Sequence, residues 1–391
     1  MGISIGLVGL GAFGSEFAPL FKGHPLVDRV ALCDREPERI RKFAENPAFQ
    51  DKFDASDAYE TLDDICKADL DALVIITQPW LHAPQAIQAI KAGKHVYSAV
   101  PVMCVPDGNE ILEWCDRLIE TCRRTGLSYM LGETTIYRGE AMYCRRRAAE
   151  GAFGTFVYAE GEYYHAFDSP QCDLRTVREH RLTGKAGQEW LELSKKYLER
   201  NELSTPMHYP THSVSGPLDV MKTHATKVSG WGFRAVDQSG FFDDSAFSNE
   251  AALFLLANGA TMRINESREI GHTESETFRI FGTQGTFREN TWVDKRRSTP
   301  LSDAELRDPL PPEVVAGFRA ARDGTDEVYG GHGGSHAHLV HEFVDAVAHG
   351  RLPKINAWEA VRYMAAGVMA HKSALKDGEV LDVPDWGDAP S

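Results

Sequence analysis

Three glycines in the run Gly9-Leu10-Gly11-Ala12-Phe13-Gly14 stand at the spacing that receives a pyrophosphate. The first permits a tight turn, the second lets phosphates approach the backbone, and the third lets helix and strand pack closely. The N–H groups of a helix start, here at Ala12 and Phe13, then meet the negative charge. Asp34 follows about twenty residues later, where a carboxylate would hold the ribose hydroxyls of NAD. Arg35 beside it would suit the extra phosphate of NADP, but the Asp34 carboxylate repels that phosphate, so the pair favours NAD. A second constellation lies far along the chain. Imidazole titrates near neutrality, so His212 suits proton transfer. Tyr209, three residues earlier, falls on the same side of a helix that starts there. Its phenol is a poor base unless a cation lowers its pKa, yet it can relay a proton. The same residues would also serve as a rigid Tyr209-Pro210 turn with His212 as a cap.

Other polar groups surround these two sets. Tyr163, Tyr164 and His165 are successive strand positions, so Tyr163 and His165 share one face and Tyr164 takes the other. Tyr164 and His165 are candidate substrate contacts, against the alternative that strand aromatics pack in a core. Glu133, just past the sixth strand, either binds substrate or caps the next helix. Arg175, Arg178, His180, Arg181 and Lys185 form a basic segment in an acidic chain. Such a segment is a solvated helix face or, with Arg178 as the candidate contact, a lid for an anionic ligand, since a guanidinium pairs two oxygens at once. His332, His336, His338 and His341 fit no standard zinc spacing, and no metal site is expected.

The elements that must position these groups fall into two patterns. Strands at Ile3–Val8, Val27–Cys33, 72–77, 95–98 and 127–131 alternate with helices at 12–22, 37–46, 84–92 and 107–125. The strand at 72–77 is apolar along its length, as a strand buried on both faces should be. This is a doubly wound parallel sheet, a dinucleotide-binding domain over residues 1–130. Beyond it, longer strands with turn residues between them, such as Asn258-Gly259, predict a large, mostly antiparallel sheet in a domain of residues 131–391. The fold class is therefore α/β plus α+β. A charged helical insertion is expected over 172–205, a long loop over 296–335, and closing helices within 336–376.

Bulk properties narrow the partners. A formal net charge of −15 disfavours nucleic acid and anionic membrane surfaces, which both need clustered positive charge. No apolar run approaches a membrane span, and with the first strand at Ile3 no signal peptide is expected, so a cytoplasmic location follows. The 7 cysteines form no CxxC pair and are odd in number, which suits reduced, buried thiols.

Three stretches carry a resemblance: residues 6–14, residues 74–82 (VIITQPWLH) and residues 92–97 (AGKHVY). The chain resembles the Gfo/Idh/MocA family of NAD(P)-dependent proteins. That resemblance implies that Thr77, Pro79 and His82 run along the nicotinamide side of the cofactor. From the residues alone, His82 equally suits a helix-entry histidine bonded to backbone groups. Dehydrogenases of the family follow the fifth strand with Glu-Lys-Pro, whose lysine helps move the hydroxyl proton. Here Ala99-Val100-Pro101 stands instead, with Val100 and Pro101 expected beside the cofactor. Of the usual aspartate–histidine–aspartate set, only His212 survives.

These departures, with Tyr209-Pro210-Thr211-His212 and the stretch from Gly151 to His165, resemble the NAD-dependent glycosidases of glycoside hydrolase family 109 and relatives such as the NAD-dependent sulfoquinovosidases. The resemblance implies oxidation of a sugar at C3, elimination across C2 and C1, addition of water, and re-reduction by the same cofactor. His212 would then be the base near C3, and Tyr209 would relay a proton or take the one on C2. The substrate would be a small carbohydrate, sulfonated or uronic if the basic segment is a lid. Alternatives are a sugar or polyol dehydrogenase with net hydride transfer, and a catalytically silent dinucleotide-binding sensor. In the family the open face of the second sheet commonly pairs with another subunit, which implies a homodimer or homotetramer.

Overall fold

The computed structural model describes residues 2–168, 174–237, 240–243, 245–272, 274–295, 297–322 and 328–390. Its first sheet grows from β1 (Ile3–Val8), flanked by β2 (Val27–Cys33) on one side and β4 (Ala72–Ile75) on the other. With β3 (Ala58–Tyr59), β5 (His95–Ser98) and β6 (Tyr129–Leu131) the order is β3-β2-β1-β4-β5-β6, all parallel. Strand order reverses between β1 and β4, and ligands bind such sheets at that point, outside the strand carboxyl ends. Helices Ala12–Gly23, His82–Lys91 and Gly108–Thr125 accompany the strands. Ile5, Val30, Leu73 and Val96 have no solvent exposure, as strands covered on both faces require. β4 ends two residues earlier than expected, which leaves Thr77 in the loop at the strand's carboxyl end.

The second sheet has nine strands in the order β14-β13-β12-β11-β7-β10-β9-β8-β15. They are β7 (Phe156–Tyr164), β8 (Ala225–Arg234), β9 (Phe247–Leu256), β10 (Thr261–Ser267), β11 (Ser275–Gly282), β12 (Gly285–Arg288), β13 (Thr291–Asp294), β14 (Arg297–Pro300) and β15 (Leu381–Asp382). All neighbours are antiparallel except β7 and β10, which run parallel. β9 and β10 meet in the expected hairpin at Asn258-Gly259. Helices Thr211–Met221 and Ala357–Ala374 lie on one face. The first approaches so closely that a Cβ on Gly161 would sit 1.9 Å from the Ser213 carbonyl oxygen. Glycine at this position of β7 lets the helix that carries His212 touch the sheet.

One expectation needs correction. Residues 296–335 are not one long loop: they hold β14, helices Asp303–Leu306 and Pro312–Ala321, and the start of helix Gly331–Ala348. Ser302 and Glu305 form a capping box for the first helix, and Pro312 opens the second, so composition rich in proline and charge there marks helix starts. The described part of the insertion is two helices, Leu174–Thr183 and Lys185–Glu199. Cys33, Cys66, Cys104, Cys115, Cys122 and Cys144 are free thiols, five buried and Cys104 partly exposed; Cys172 lies outside the described residues.

Candidate active site

The glycine turn is built as its sequence requires. A Cβ on Gly14 would lie 1.9 Å from the Gly9 carbonyl oxygen, so only glycine closes the turn. Gly11 caps helix Ala12–Gly23 without a side-chain hydrogen bond, which leaves the first-turn N–H groups of Ala12 and Phe13 to an incoming anion. Asp34 is buried, accepts from the Leu10 N–H at 2.7 Å and the Glu36 N–H at 2.9 Å, and has Arg39 3.5 Å away. A carboxylate has roughly four lone-pair sites, so beside the two N–H groups and Arg39 Asp34 keeps capacity for a ribose hydroxyl. These residues fit a dinucleotide.

Around the same crest, His82 is buried with Nδ1 2.8 Å from the Pro101 carbonyl and Nε2 3.3 Å from that of Thr77. Burial lowers its pKa to about 4, so the ring is neutral. It ties the loop after β4 to the loop after β5, which the sequence offered as the alternative to cofactor contact. The Thr77 hydroxyl donates to Gln85 Oε1 at 2.6 Å, the Pro79 carbonyl accepts from the Cys104 N–H at 3.2 Å, and the Val100–Pro101 bond is cis.

His212 sits in the first turn of helix Thr211–Met221, with Nδ1 2.9 Å from Glu133 Oε1 and 3.9 Å from Glu276 Oε2. Glu133 has no solvent exposure, and the same oxygen accepts from the Thr135 N–H at 2.9 Å. Burial pushes the Glu133 carboxyl up, but the His212 charge and the hydrogen bonds outweigh it and bring it down to about 2. Burial likewise opposes a charged His212, but Glu133 and Glu276 hold its pKa up at about 9. The resting pair is imidazolium and carboxylate. Arg138 forms an ion pair with Glu276, which fixes the second carboxylate from behind.

Two tyrosines flank the imidazole. The Tyr209 ring lies 5.5 Å from His212, and its hydroxyl donates to the Val100 carbonyl at 3.3 Å. The Tyr163 ring lies 5.1 Å from His212, edge to face, with its hydroxyl 2.5 Å from His165 Nδ1 and the Arg268 guanidinium 4.5 Å over its face. Arg268 pairs with buried Glu266 at 2.8 Å, which also accepts from the Ser213 hydroxyl at 2.5 Å. Burial raises the Glu266 carboxyl to about 7.

Comparison with known proteins decides the lineage. Residues 3–133 match the family described as "Oxidoreductase family, NAD-binding Rossmann fold", GFO_IDH_MocA. The N-terminal domain is a Gfo/Idh/MocA domain. A glycosyl hydrolase family 109 protein of Stenotrophomonas maltophilia (strain K279a) is 25% identical over 98% of this chain and 89% of its own length. An alpha-N-acetylgalactosaminidase of Tannerella forsythia is 24% identical over 80% of this chain and 70% of its own. Among solved structures, levoglucosan dehydrogenase in complex with NADH and levoglucosan aligns at a TM-score of 0.72 and 17% identity, covering 98% of this chain and 100% of that one. The whole chain thus shares the fold of this structure, with the matched NAD-binding domain at its N-terminal side.

Within this Gfo/Idh/MocA frame the expected residues separate. Tyr209, His212, Glu133 and the Tyr163–His165 face converge. Glu133 is buried, pairs with His212 and accepts from the Thr135 N–H at the start of the short helix Thr135–Tyr137, the cap that the sequence offered as an alternative to a substrate contact. Tyr164 points the other way: strand alternation puts it on the open face, against His272 at 5.3 Å, and Tyr163 takes the place beside His212. Arg178 is committed elsewhere, donating to the Phe241 carbonyl at 2.6 Å with its guanidinium over the Phe241 ring. The Arg181 charge acts on Tyr209 and His82, and together with Arg268 on Cys104. Sequence reasoning missed Arg138 and Glu276, which meet across 138 residues of chain. No local spacing signals such a pair. No group of three or more metal-ligating side chains occurs among the described residues, and His332 and His336 bond each other at 2.9 Å against Phe13.

Proposed function

We propose that the protein is a glycosidase in which a bound nicotinamide dinucleotide, NAD, supplies reversible oxidation at C3 of a sugar while the chain's own residues carry out elimination, hydration and proton return. The observation that carries this reading is the buried Glu133–His212 ion pair beside Tyr209, at a place where Val100 offers only its carbonyl. An ordinary dehydrogenase of the resembled type has an ammonium there. The near-full-length relatives named glycosyl hydrolase family 109 protein support the same reading.

His212 has two tasks. As an imidazolium it stabilises negative charge that develops on the C3 oxygen when the C2 proton leaves. As the free base, with a pKa of about 9, it is a strong proton acceptor whose population grows with pH. Tyr209 is placed to relay the C2 proton to solvent, while free-base His212 takes the proton of the C3 hydroxyl in the oxidation that precedes it. Burial pushes its phenol above the ordinary value and outweighs the Arg181 charge, so it donates a hydrogen bond and passes a proton on. An anionic sugar would meet Arg181, the guanidinium that acts on the site, instead of Arg178.

The test is direct. Purified protein is incubated with aryl glycosides deuterated at C2, without added cofactor. Release of phenol with loss of deuterium to solvent and no accumulation of NADH supports the reading. Deuterium fully retained after cleavage would end it, and steady NADH production with added NAD would assign a dehydrogenase.

We also infer that a second copy covers the open face of the nine-stranded sheet. Trp231, Phe233, Leu253 and Leu255 are exposed there on β8 and β9, an apolar surface of the kind that marks an interface.

A further inference from the structure

Helix Lys185–Glu199 of the insertion spans the loops following β2 and β4 and the first turn of helix Gly108–Thr125. Lys185 Nζ donates to the Arg35 carbonyl at 2.6 Å, Trp190 stacks on Trp80 at 4.6 Å, and the Tyr197 hydroxyl donates to Glu110 at 3.0 Å. This is the crest on which a dinucleotide lies. At its ribose end Glu189 accepts from both terminal nitrogens of Arg35, at 2.7 and 2.6 Å.

Arg35 follows Asp34 directly, and a guanidinium in that place would pair with a 2′-phosphate through two parallel N–H groups. Glu189 occupies both of them. The other arginine nearby, Arg39, is set against Asp34 itself at 3.5 Å. Each guanidinium at the ribose end therefore has its own carboxylate. The remaining charges there, Lys185 and Glu36, are one of each sign, and the Glu36 carboxylate accepts from the Lys185 backbone N–H at 3.4 Å. No net positive charge is left for an added phosphate.

We propose that Glu189, carried on an element outside the dinucleotide-binding sheet, sets cofactor selectivity by clamping Arg35, so that NAD is accepted and a 2′-phosphorylated dinucleotide is refused. This rests on the reading that the glycine turn and Asp34 hold a dinucleotide. Asp34 repels a 2′-phosphate in wild type and variant alike, so removal of the Glu189 charge isolates the contribution of Arg35.

The experiment measures dissociation constants of NAD and NADP for the full-length protein by calorimetric titration, together with the ratio of the two dinucleotides released by acid from protein as purified. Glu189→Gln should tighten NADP by about tenfold, the size of one charge-assisted hydrogen bond, and move NAD by less than about threefold. Arg35→Ala in the Glu189→Gln background should cancel the gain. An unchanged NADP-to-NAD ratio in Glu189→Gln, or a gain that survives removal of Arg35, overturns the proposal while leaving dinucleotide binding intact. Failure of the wild type to bind either dinucleotide overturns both.

Discussion

A carboxylate sealed from water is costly unless a cation rests on it, and Glu133 meets that condition through His212. The two pKa shifts define a pH window. His212 is raised from 6.5 to about 9, so its contribution to stability is whole below 6.5 and disappears as pH climbs through about 9. Glu133 is lowered from 4.5 to about 2, so its contribution is whole above 4.5 and disappears as pH falls through about 2. Glu133→Gln should therefore lower the melting temperature most between these limits, with the gap to wild type narrowing above about pH 9. In the same variant His212 loses its strongest support, and the pH at which turnover, limited by removal of the C3 hydroxyl proton, reaches half its plateau should fall. A profile that stays in place would remove His212 from the role of base. Tyr209→Phe deletes one hydroxyl and its bond to Val100. Turnover should drop by about 10²-fold or more while dinucleotide affinity holds, checked by steady-state rates beside a binding titration.

At the scale of elements, the approach of helix Thr211–Met221 to β7 places the imidazole. Gly161→Ala inserts a methyl group 1.9 Å from a backbone oxygen, which cannot swing aside as a side chain would. The helix must shift, at a cost of about 1–3 kcal/mol by analogy with overpacked cores, and His212 shifts with it. Thermal unfolding and turnover should both suffer, and an unaltered kcat would contradict this positioning role. The elements themselves were largely legible. A continuous apolar run marked β4, mostly apolar runs marked β1 and β2, and a glycine turn followed by an acid suggested what the first crossover binds. The short strands β12, β13 and β14 escaped, because four-residue strands carry too little alternation to stand out from loop. Tyr163 and Tyr164 show what remained undecided: alternation separated them onto two faces, but only the fold says which face the helix covers. Arg138 and Glu276 were beyond reach, since their meeting depends on the pairing of β7 with β11.

For the whole molecule, the open sheet face is the surface to probe. Trp231→Glu places a charge on β8 beside Ala251 and near Leu253. If a second copy sits there, sedimentation should change from a multimer to a monomer, with helix content by circular dichroism unchanged. A wild-type protein that sediments as a monomer at micromolar concentration would refute the covering copy. No helix among the described residues is long and apolar enough to cross a membrane.

The lone parallel pair in the second sheet governs when the site can exist. β7, which bears Tyr163 and leads into His165, aligns Tyr158 with Thr261 and Tyr164 with Ser267, and its other edge waits for β11. During synthesis, β7 leaves the ribosome long before either neighbour has been made. Contacts so distant along the chain are slow to form, because loop closure must be met before the pairing rewards it. The tyrosine wall beside His212 is thus among the last features to assemble, and a nascent chain halted before Thr261 would have every strand of the parallel sheet but not the strands that seat Tyr163.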